Sequence, residues 1–153
     1  RFMMSIDDAV DLGLYAFERG QPGDLFVQKA PAATIEILAQ SVKRVFAAHN
    51  PIQIIGTRHG EKAYETLLTR EEMLRALDLG RYFRVPADMR DLNYDAYFVE
   101  GQEQLSHLED YNSHNTTLLD ETAMAALLLR LEFVQNELHN NGQLLVQTQG
   151  VHS

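Results

Sequence analysis

The sequence lacks several features that whole classes of proteins need. It contains no cysteine, which excludes disulfides, thiolate catalysis and thiolate metal sites and fits a reducing compartment. No apolar run approaches the roughly 18 residues that a bilayer span needs. The N-terminus also has no basic-then-apolar layout of the kind found in secretion signals. We therefore expect a cytoplasmic protein with no membrane partner.

Common catalytic and cofactor motifs are absent as well. The six histidines show neither His-x-x-x-His nor His-x-x-Glu-His spacing, so we predict no metal site. No serine lies in a Gly-x-Ser-x-Gly turn, which argues against a serine hydrolase. Neither Gly-x-Gly-x-x-Gly nor Gly-x-x-x-x-Gly-Lys is present, so the chain has no loop that would cradle cofactor phosphates. We predict that the chain alone binds no cofactor.

Positive charge is also scarce, and its distribution is uneven. Thirteen Lys and Arg face 22 Asp and Glu, for a formal net charge of -9, which disfavours nucleic acid as a partner. Residues 58–90 are the exception, with seven cations against six acids. A site for a small anion would most plausibly draw on this stretch. The alternative is a solvated surface of mixed charge.

The chain length of 153 residues allows about one compact unit, and a hydrophobic share of 45% is enough to fill a core. A Ser5-x-x-Asp8 capping box opens a helix over residues 6–19, and Gly20 stands where a left-handed C-cap would. Apolar residues at helical spacing predict that this helix buries one face, made of Ile6, Ala9, Val10, Leu14 and Phe17.

The same signals predict three more helices. Thr34 caps one that extends to about residue 48, with an apolar face of Ile35, Leu38, Ala39, Val42, Val45 and Phe46. Thr69 and Glu72 form a capping box for a short helix to about residue 77. Asp120 caps one last helix that ends near residue 140, with an apolar stripe of Met124, Leu127, Leu128, Leu131, Val134 and Leu138.

Short apolar or β-branched runs predict strands at residues 25–27, 52–55 and 82–85. Residues 64–68 are ambiguous between helix and strand. Strands that alternate with helices indicate a small α/β unit or an α+β-like fragment. The opening run Arg1-Phe2-Met3-Met4, which is strand-like and has no initiator Met, leads us to expect a piece of a longer protein.

The loop after the predicted strand at 52–55 has the best chemistry for a ligand. It reads Gly56-Thr57-Arg58-His59-Gly60-Glu61-Lys62. Two glycines let the backbone approach a ligand, Arg58 offers a planar fork to phosphate oxygens, and Glu61 can accept hydrogen bonds from sugar hydroxyls. This combination suits a diphosphate-sugar. The alternative is a loop in which Arg58 and Glu61 only pair with each other.

Two polar stretches, at residues 91–95 and 110–116, are dense in Asp, Asn and Tyr. We favour the interpretation that their side chains satisfy local backbone groups. The functional alternative is a latch over a site or across a subunit interface.

Several long stretches resemble one family. The matching runs are residues 1–10, 26–35, 54–62 with 64–68, 90–98 and 109–117. Over about residues 1–138 the sequence resembles the C-terminal portion of bacterial capsule and O-antigen UDP-N-acetylglucosamine 4,6-dehydratases/epimerases. These are polysaccharide biosynthesis proteins of the extended short-chain dehydrogenase/reductase superfamily.

The resemblance implies a Rossmann-type enzyme whose N-terminal domain holds NADP, while a smaller C-terminal part completes the UDP-sugar pocket. It implies that Arg58 grips the diphosphate, that Glu61 reaches the nucleotide ribose, and that Arg1 is a weaker second diphosphate contact. The expected partners are the UDP-sugar, the N-terminal Rossmann domain of the same protein and, as a homo-oligomer, further copies of the chain.

The chain departs from this family in one decisive respect. The superfamily's catalytic Tyr-x-x-x-Lys is missing, because Leu25, Ala39 and Arg58 stand four positions before the three lysines. The chain alone therefore has no machinery for hydride or proton transfer, and we assign it no catalytic residue.

We expect residues 1–138 to form a substrate-binding C-terminal domain and residues 139–153 to be a disordered tail or a cloning remnant. The predicted function is the UDP-sugar-binding portion of a 4,6-dehydratase/epimerase. The alternative is a non-enzymatic interaction module that keeps the fold and pairs with other proteins through its acidic residues 91–138.

Overall fold

A computed structural model of the chain describes residues 1–87 and 109–140. The helices in these residues are α1 (Ile6–Arg19), α2 (Ile35–Val45), α3 (Arg70–Met73), α4 (Glu121–Leu129) and α5 (Glu132–Asn140). The strands are β1 (Leu25–Gln28), β2 (Thr66–Leu68), β3 (Leu77–Asp78), β4 (Tyr82–Val85) and β5 (Tyr111–Asn112).

The chain divides into two compact units. Of the described residues, the first unit holds Arg1, residues 33–61 and residues 118–140, and therefore the helices α2, α4 and α5. The second unit holds residues 2–32, 62–87 and 109–117, with α1, α3 and all five strands.

The second unit is built on two small antiparallel sheets. One has the strand order β1-β4-β3, and the other pairs β2 with β5. Val27, Leu68, Val85 and Tyr111 form its buried core. The Tyr111 ring contacts the ring of Phe83 at a centroid distance of 5.1 Å, which ties the two sheets together through apolar packing.

Helix α1 has the predicted ends but not the predicted buried face. The Ser5 hydroxyl accepts from the Asp8 N–H, and the Asp8 carboxylate accepts from the Ser5 N–H, which completes the capping box. The predicted apolar face is instead exposed at Ile6, Val10, Leu14 and Phe17. The helix packs inward through Tyr15, whose ring lies 4.6 Å from that of Tyr82.

Gly20 ends α1, but not as a left-handed cap. Its φ is −76° and its ψ 153°, which is extended backbone. Glycine is still needed there, because a Cβ would lie 2.5 Å from the Ala16 carbonyl oxygen. The backbone at Gly20 passes close to the last turn of the helix. The prediction that a glycine ends α1 is therefore confirmed, and the predicted left-handed conformation is wrong.

The first unit is a small helical assembly in which α2 packs against α4. Thr34 and Asp120 cap these helices as predicted, since each side chain accepts a backbone N–H three residues later. Met124 and Leu138 are almost fully buried, in agreement with the predicted stripe. Ser41 on α2 is also fully buried. Its hydroxyl is satisfied there, because it donates to the Glu121 carbonyl oxygen at 3.0 Å.

Several predicted elements differ from the structure. Residues 52–55 form no strand; Ile54 and Ile55 are exposed, and no described strand pairs with them. The predicted last helix is two helices, because the first ends at Leu129 and the second begins at Glu132. Helix α2 ends at Val45, before the predicted end near residue 48, because Ala47 has a φ of 47°, which is incompatible with a right-handed helix.

Strands at 25–28 and 82–85 confirm two of the predictions, and the ambiguous residues 64–68 contain strand β2. The polar stretch 91–95 lies outside the described residues, as do residues 141–153. The boundary between a domain over 1–138 and a tail over 139–153 therefore stays a prediction. Among the described residues, no helix is both long and apolar enough to cross a bilayer.

Candidate functional site

The loop predicted as the ligand site is a solvent-exposed connection in the first unit. Every residue from 50 to 61 is exposed to solvent. Gly56 has a φ of 76° and Gly60 a φ of 81°, the left-handed region that favours glycine. The Glu61 N–H donates to the Arg58 carbonyl oxygen at 3.1 Å and closes a four-residue turn. The two glycines therefore shape the backbone on both sides of Arg58.

The carboxylate of Glu61 is held at both of its oxygens. Oε2 accepts from the Arg58 backbone N–H at 3.1 Å, and Oε1 accepts from Arg1 Nη2 at 3.1 Å. The hydrogen bond from the Arg58 N–H, and next that from the Arg1 side chain, hold the pKa of Glu61 below its ordinary value. Glu61 is thus an anion at neutral pH.

Arg1 joins this cluster from the other end of the sequence. Its backbone nitrogen donates to the Ala33 carbonyl oxygen at 2.8 Å, and the Ala33 N–H donates to the Arg1 carbonyl oxygen at 2.9 Å. Its side chain is 29% exposed and that of Glu61 is 42% exposed. The structure therefore brings Arg1, Arg58 and Glu61 together, although 60 residues separate Arg1 from Glu61.

The Arg58 guanidinium is the open member of the cluster. Among the residues that the structure describes, it makes no hydrogen bond and no ion pair, and the residue is exposed. Glu61 meets Arg58 through the Arg58 backbone N–H and through the charge of its side chain, and this pairing leaves the donors of the guanidinium without a hydrogen bond among the described residues. A guanidinium with five unused donors is suited to an incoming polyanion.

Part of the polar stretch 110–116 satisfies local backbone groups, as the favoured interpretation predicted. The Asn112 N–H donates to Asn115 Oδ1 at 2.8 Å, and Asn115 Nδ2 donates to the Asp110 carbonyl oxygen at 2.8 Å. The Thr116 hydroxyl instead reaches a distant group, since it donates to the Ala30 carbonyl oxygen at 2.8 Å across 86 residues. The latch over a site or a subunit contact stays a prediction.

A cavity of about 410 Å³ in the second unit was not predicted from the sequence. Lys29, Phe83, Tyr111 and Thr116 are among its lining residues, and none of Arg1, Arg58 and Glu61 is. Lys29 is already engaged there, because its ammonium pairs with Asp78 and lies 4.4 Å from the centroid of the Phe83 ring. Its lining residues are up to 88 positions apart in sequence, so no local motif signals it.

The sequence matches two protein-family models. The family model described as "Polysaccharide biosynthesis protein" matches residues 1–87, more than half of the chain, and the one described as "Polysaccharide biosynthesis protein C-terminal" matches residues 88–135. The chain belongs to the polysaccharide biosynthesis protein family. This confirms the coarser part of the resemblance, a polysaccharide biosynthesis protein of the extended short-chain dehydrogenase/reductase type.

Curated relatives of this family member include proteins named UDP-glucose 4-epimerase. The one from Rickettsia felis is 57% identical over 140 residues, which cover 92% of the chain and 41% of that relative. The one from Rickettsia prowazekii is 55% identical over the same length and with the same coverage. The chain thus spans about two fifths of the length of the curated relatives it matches.

A solved structure has a similar fold. The X-ray structure of Pen from Bacillus thuringiensis matches 86% of the chain and 37% of its own length, with a TM-score of 0.68 and 26% sequence identity. The predicted fold class is confirmed: the chain is an α/β, α+β-like fragment of an extended short-chain dehydrogenase/reductase.

Proposed function

We propose that this chain is the UDP-sugar-binding portion of a nucleotide-sugar epimerase or dehydratase of polysaccharide biosynthesis. The observation that carries the proposal is the Arg58 guanidinium, which is exposed and without a partner among the described residues, in a loop shaped by two glycines. The relatives named UDP-glucose 4-epimerase support a UDP-sugar as the ligand.

In this proposal the three residues of the cluster have separate tasks. Arg58 binds the diphosphate through its planar fork, which matches phosphate oxygens better than a point charge does. Arg1 adds a second, weaker contact to the same group, and Glu61 accepts hydrogen bonds from the nucleotide ribose. Binding energy from the UDP moiety, far from the reacting carbons, orients the sugar for a reaction performed elsewhere.

The redox chemistry belongs to a separate N-terminal Rossmann domain of the full-length protein, which we propose as a partner in a homo-oligomeric, cytoplasmic enzyme. NADP bound there would accept and return hydride at C4 of the sugar. This chain's own residues bind and position the substrate; none of them serves as the acid or base.

Two reactions fit the proposed function. The relatives named UDP-glucose 4-epimerase favour epimerisation at C4 of UDP-glucose. The resemblance favours UDP-N-acetylglucosamine and loss of water across C5 and C6 after oxidation at C4. Incubation of the full-length enzyme with each sugar and analysis of the product by NMR distinguishes a C4 epimer from a 4-keto-6-deoxy sugar.

The role of Arg58 is tested by UDP titration of the full-length protein in a calorimeter. Arg58→Ala should weaken UDP binding by at least about 1.5 kcal/mol, roughly tenfold, because a charge-assisted hydrogen bond to phosphate is lost. NADP affinity should not change. Arg130→Ala is the matched control, since Arg130 is an exposed arginine outside the loop. Unchanged UDP affinity in Arg58→Ala would refute the diphosphate assignment.

The gene sequence upstream of Arg1 tests the alternative of a non-enzymatic module. A Gly-x-x-Gly-x-x-Gly motif followed by Tyr-x-x-x-Lys supports the enzyme. An independent start codon near Arg1 supports the module.

A further inference from the structure

Glu61 connects two cationic residues that are remote in sequence. One carboxylate oxygen accepts from the Arg1 guanidinium and the other from the Arg58 backbone N–H, each at 3.1 Å. Two lone pairs on each oxygen leave further acceptor positions for a ligand hydroxyl. The contacts with Arg1 and Arg58 are therefore compatible with a ribose contact, but they do not depend on one.

Both ends of this bridge are fixed by backbone hydrogen bonds. Arg1 is paired with Ala33 in both directions, at 2.8 and 2.9 Å. The turn at Arg58 is closed by the Glu61 N–H and needs the positive φ of Gly60. The Glu61 side chain thus joins an exposed loop to a segment that is itself hydrogen-bonded, and it holds the start of the Arg58 turn.

The negative charge of Glu61 favours the binding of a diphosphate by Arg1 and Arg58. Two arginines that bind one diphosphate repel each other before the ligand arrives, and an anion between them offsets that repulsion. Holding the Arg1 guanidinium and the backbone at Arg58 in place beforehand lowers the ordering cost of binding, and the benefit appears in affinity for the diphosphate. A residue that acts only on the ribose would have no such effect.

Resting on the proposed function, we propose that Glu61 is a positioning residue for diphosphate recognition: its carboxylate holds Arg1 and the Arg58 turn in the arrangement that a nucleotide diphosphate binds. Both hydrogen bonds of the Glu61 carboxylate are to these two residues, and they account for the larger share of its effect on UDP affinity.

Inorganic pyrophosphate and uridine separate this role from a ribose contact. Pyrophosphate has no ribose, and uridine has no phosphate. Simple removal of a negative charge near the site should tighten pyrophosphate binding. Loss of a positioning residue should weaken it, so the two explanations predict changes of opposite sign.

The experiment is calorimetric titration of the full-length protein with UDP, pyrophosphate and uridine. For Glu61→Gln we expect about tenfold weaker binding of pyrophosphate and of UDP. Glu36→Gln is the matched control, because it removes an equal charge from the exposed surface of α2. Unchanged or tighter pyrophosphate binding in Glu61→Gln overturns the proposal.

A second variant tests whether Glu61 acts through Arg1. In an Arg1→Ala background, Glu61→Gln should weaken pyrophosphate binding by a clearly smaller factor than in the parent protein, because residues that share an interaction are not additive. Equal factors in both backgrounds would contradict the bridge.

The same titrations distinguish failure of this proposal from failure of the proposed function. If the parent protein binds UDP and Arg58→Ala weakens it while Glu61→Gln leaves pyrophosphate unaffected, only the positioning role is wrong. If the parent protein does not bind UDP, the proposed function is wrong and the positioning role falls with it.

Discussion

Helices α1 and α2 have nearly the same sequence signals, but α2 is partly covered by another helix and the apolar stripe of α1 is exposed. Each begins after a hydroxyl residue whose oxygen accepts a first-turn N–H, and each carries apolar residues at helical spacing. In α2 the predicted face is partly buried: Val45 is 4% exposed, whereas Ile35 and Val42 are 59% and 38% exposed. In α1 the predicted face is open to solvent, with Phe17 at 92% exposure.

The difference shows what periodicity can and cannot predict. A repeat of apolar residues near every third or fourth position identifies a helix and one of its faces, but not what lies against that face. In α2 the covering element is α4, which is about 80 residues away in sequence. In α1 the ring contacts are made by Tyr15, on the other side of the helix from the apolar stripe Ile6, Val10, Leu14 and Phe17.

The largest change in the free energy of unfolding is expected where α2 packs against α4. Met124 is 1% exposed, so Met124→Ala should lower the free energy of unfolding by about 2 to 5 kcal/mol, because it removes buried methylenes and leaves a cavity. Urea denaturation followed by circular dichroism measures it. A loss below about 1 kcal/mol would mean that the packing of α4 is loose.

An intermediate effect is expected where the two helices are alike. Ser5→Ala and Thr34→Ala should each cost about 1 kcal/mol, because each leaves one first-turn N–H without its side-chain acceptor. Hydrogen exchange at the Asp8 and Ile37 amides should accelerate in the respective variant. Ser5→Gly is the control, with an expected cost of only a few tenths of a kcal/mol. Faster exchange in one helix only would break the parallel between them.

The smallest effect is expected on the apolar stripe of α1. Phe17→Ala should change the free energy of unfolding of the 153-residue chain by less than about 0.5 kcal/mol, since an exposed ring loses little on truncation. The same denaturation experiment checks it against Met124→Ala. A loss above about 1.5 kcal/mol would show that the stripe is covered in solution and would remove the contrast with α2.

Local chemistry made much of the fold predictable. All four N-caps, Ser5, Thr34, Thr69 and Asp120, were predicted and are observed, because a cap needs only residues within one turn. The strands at 25–28 and 82–85 were predicted from β-branched and aromatic runs, and they pair with each other. The run Ile52-Gln53-Ile54-Ile55 is also rich in β-branched residues but has no described partner strand, and it is irregular.

The candidate site divides in the same way. The glycines and the Arg58–Glu61 turn lie within seven residues, so their chemistry could be predicted from the motif. The pairing of Glu61 with Arg1 could not, because the contact spans 60 residues and depends on the hydrogen bonds between Arg1 and Ala33. Long-range contacts of this kind follow from the fold and leave no periodic mark in the sequence.

Ser41 has a consequence for how uniquely the helices dock. Apolar surfaces tolerate small sliding and rolling against each other, because dispersion contacts have no preferred direction. A hydroxyl that donates to one carbonyl, as Ser41 does to Glu121 at 3.0 Å, is satisfied at only one rotation of α2 about its axis. An alanine there would remove this directional contact and leave the exposed pairing of Arg44 with Thr122 and Glu121 to restrain that angle.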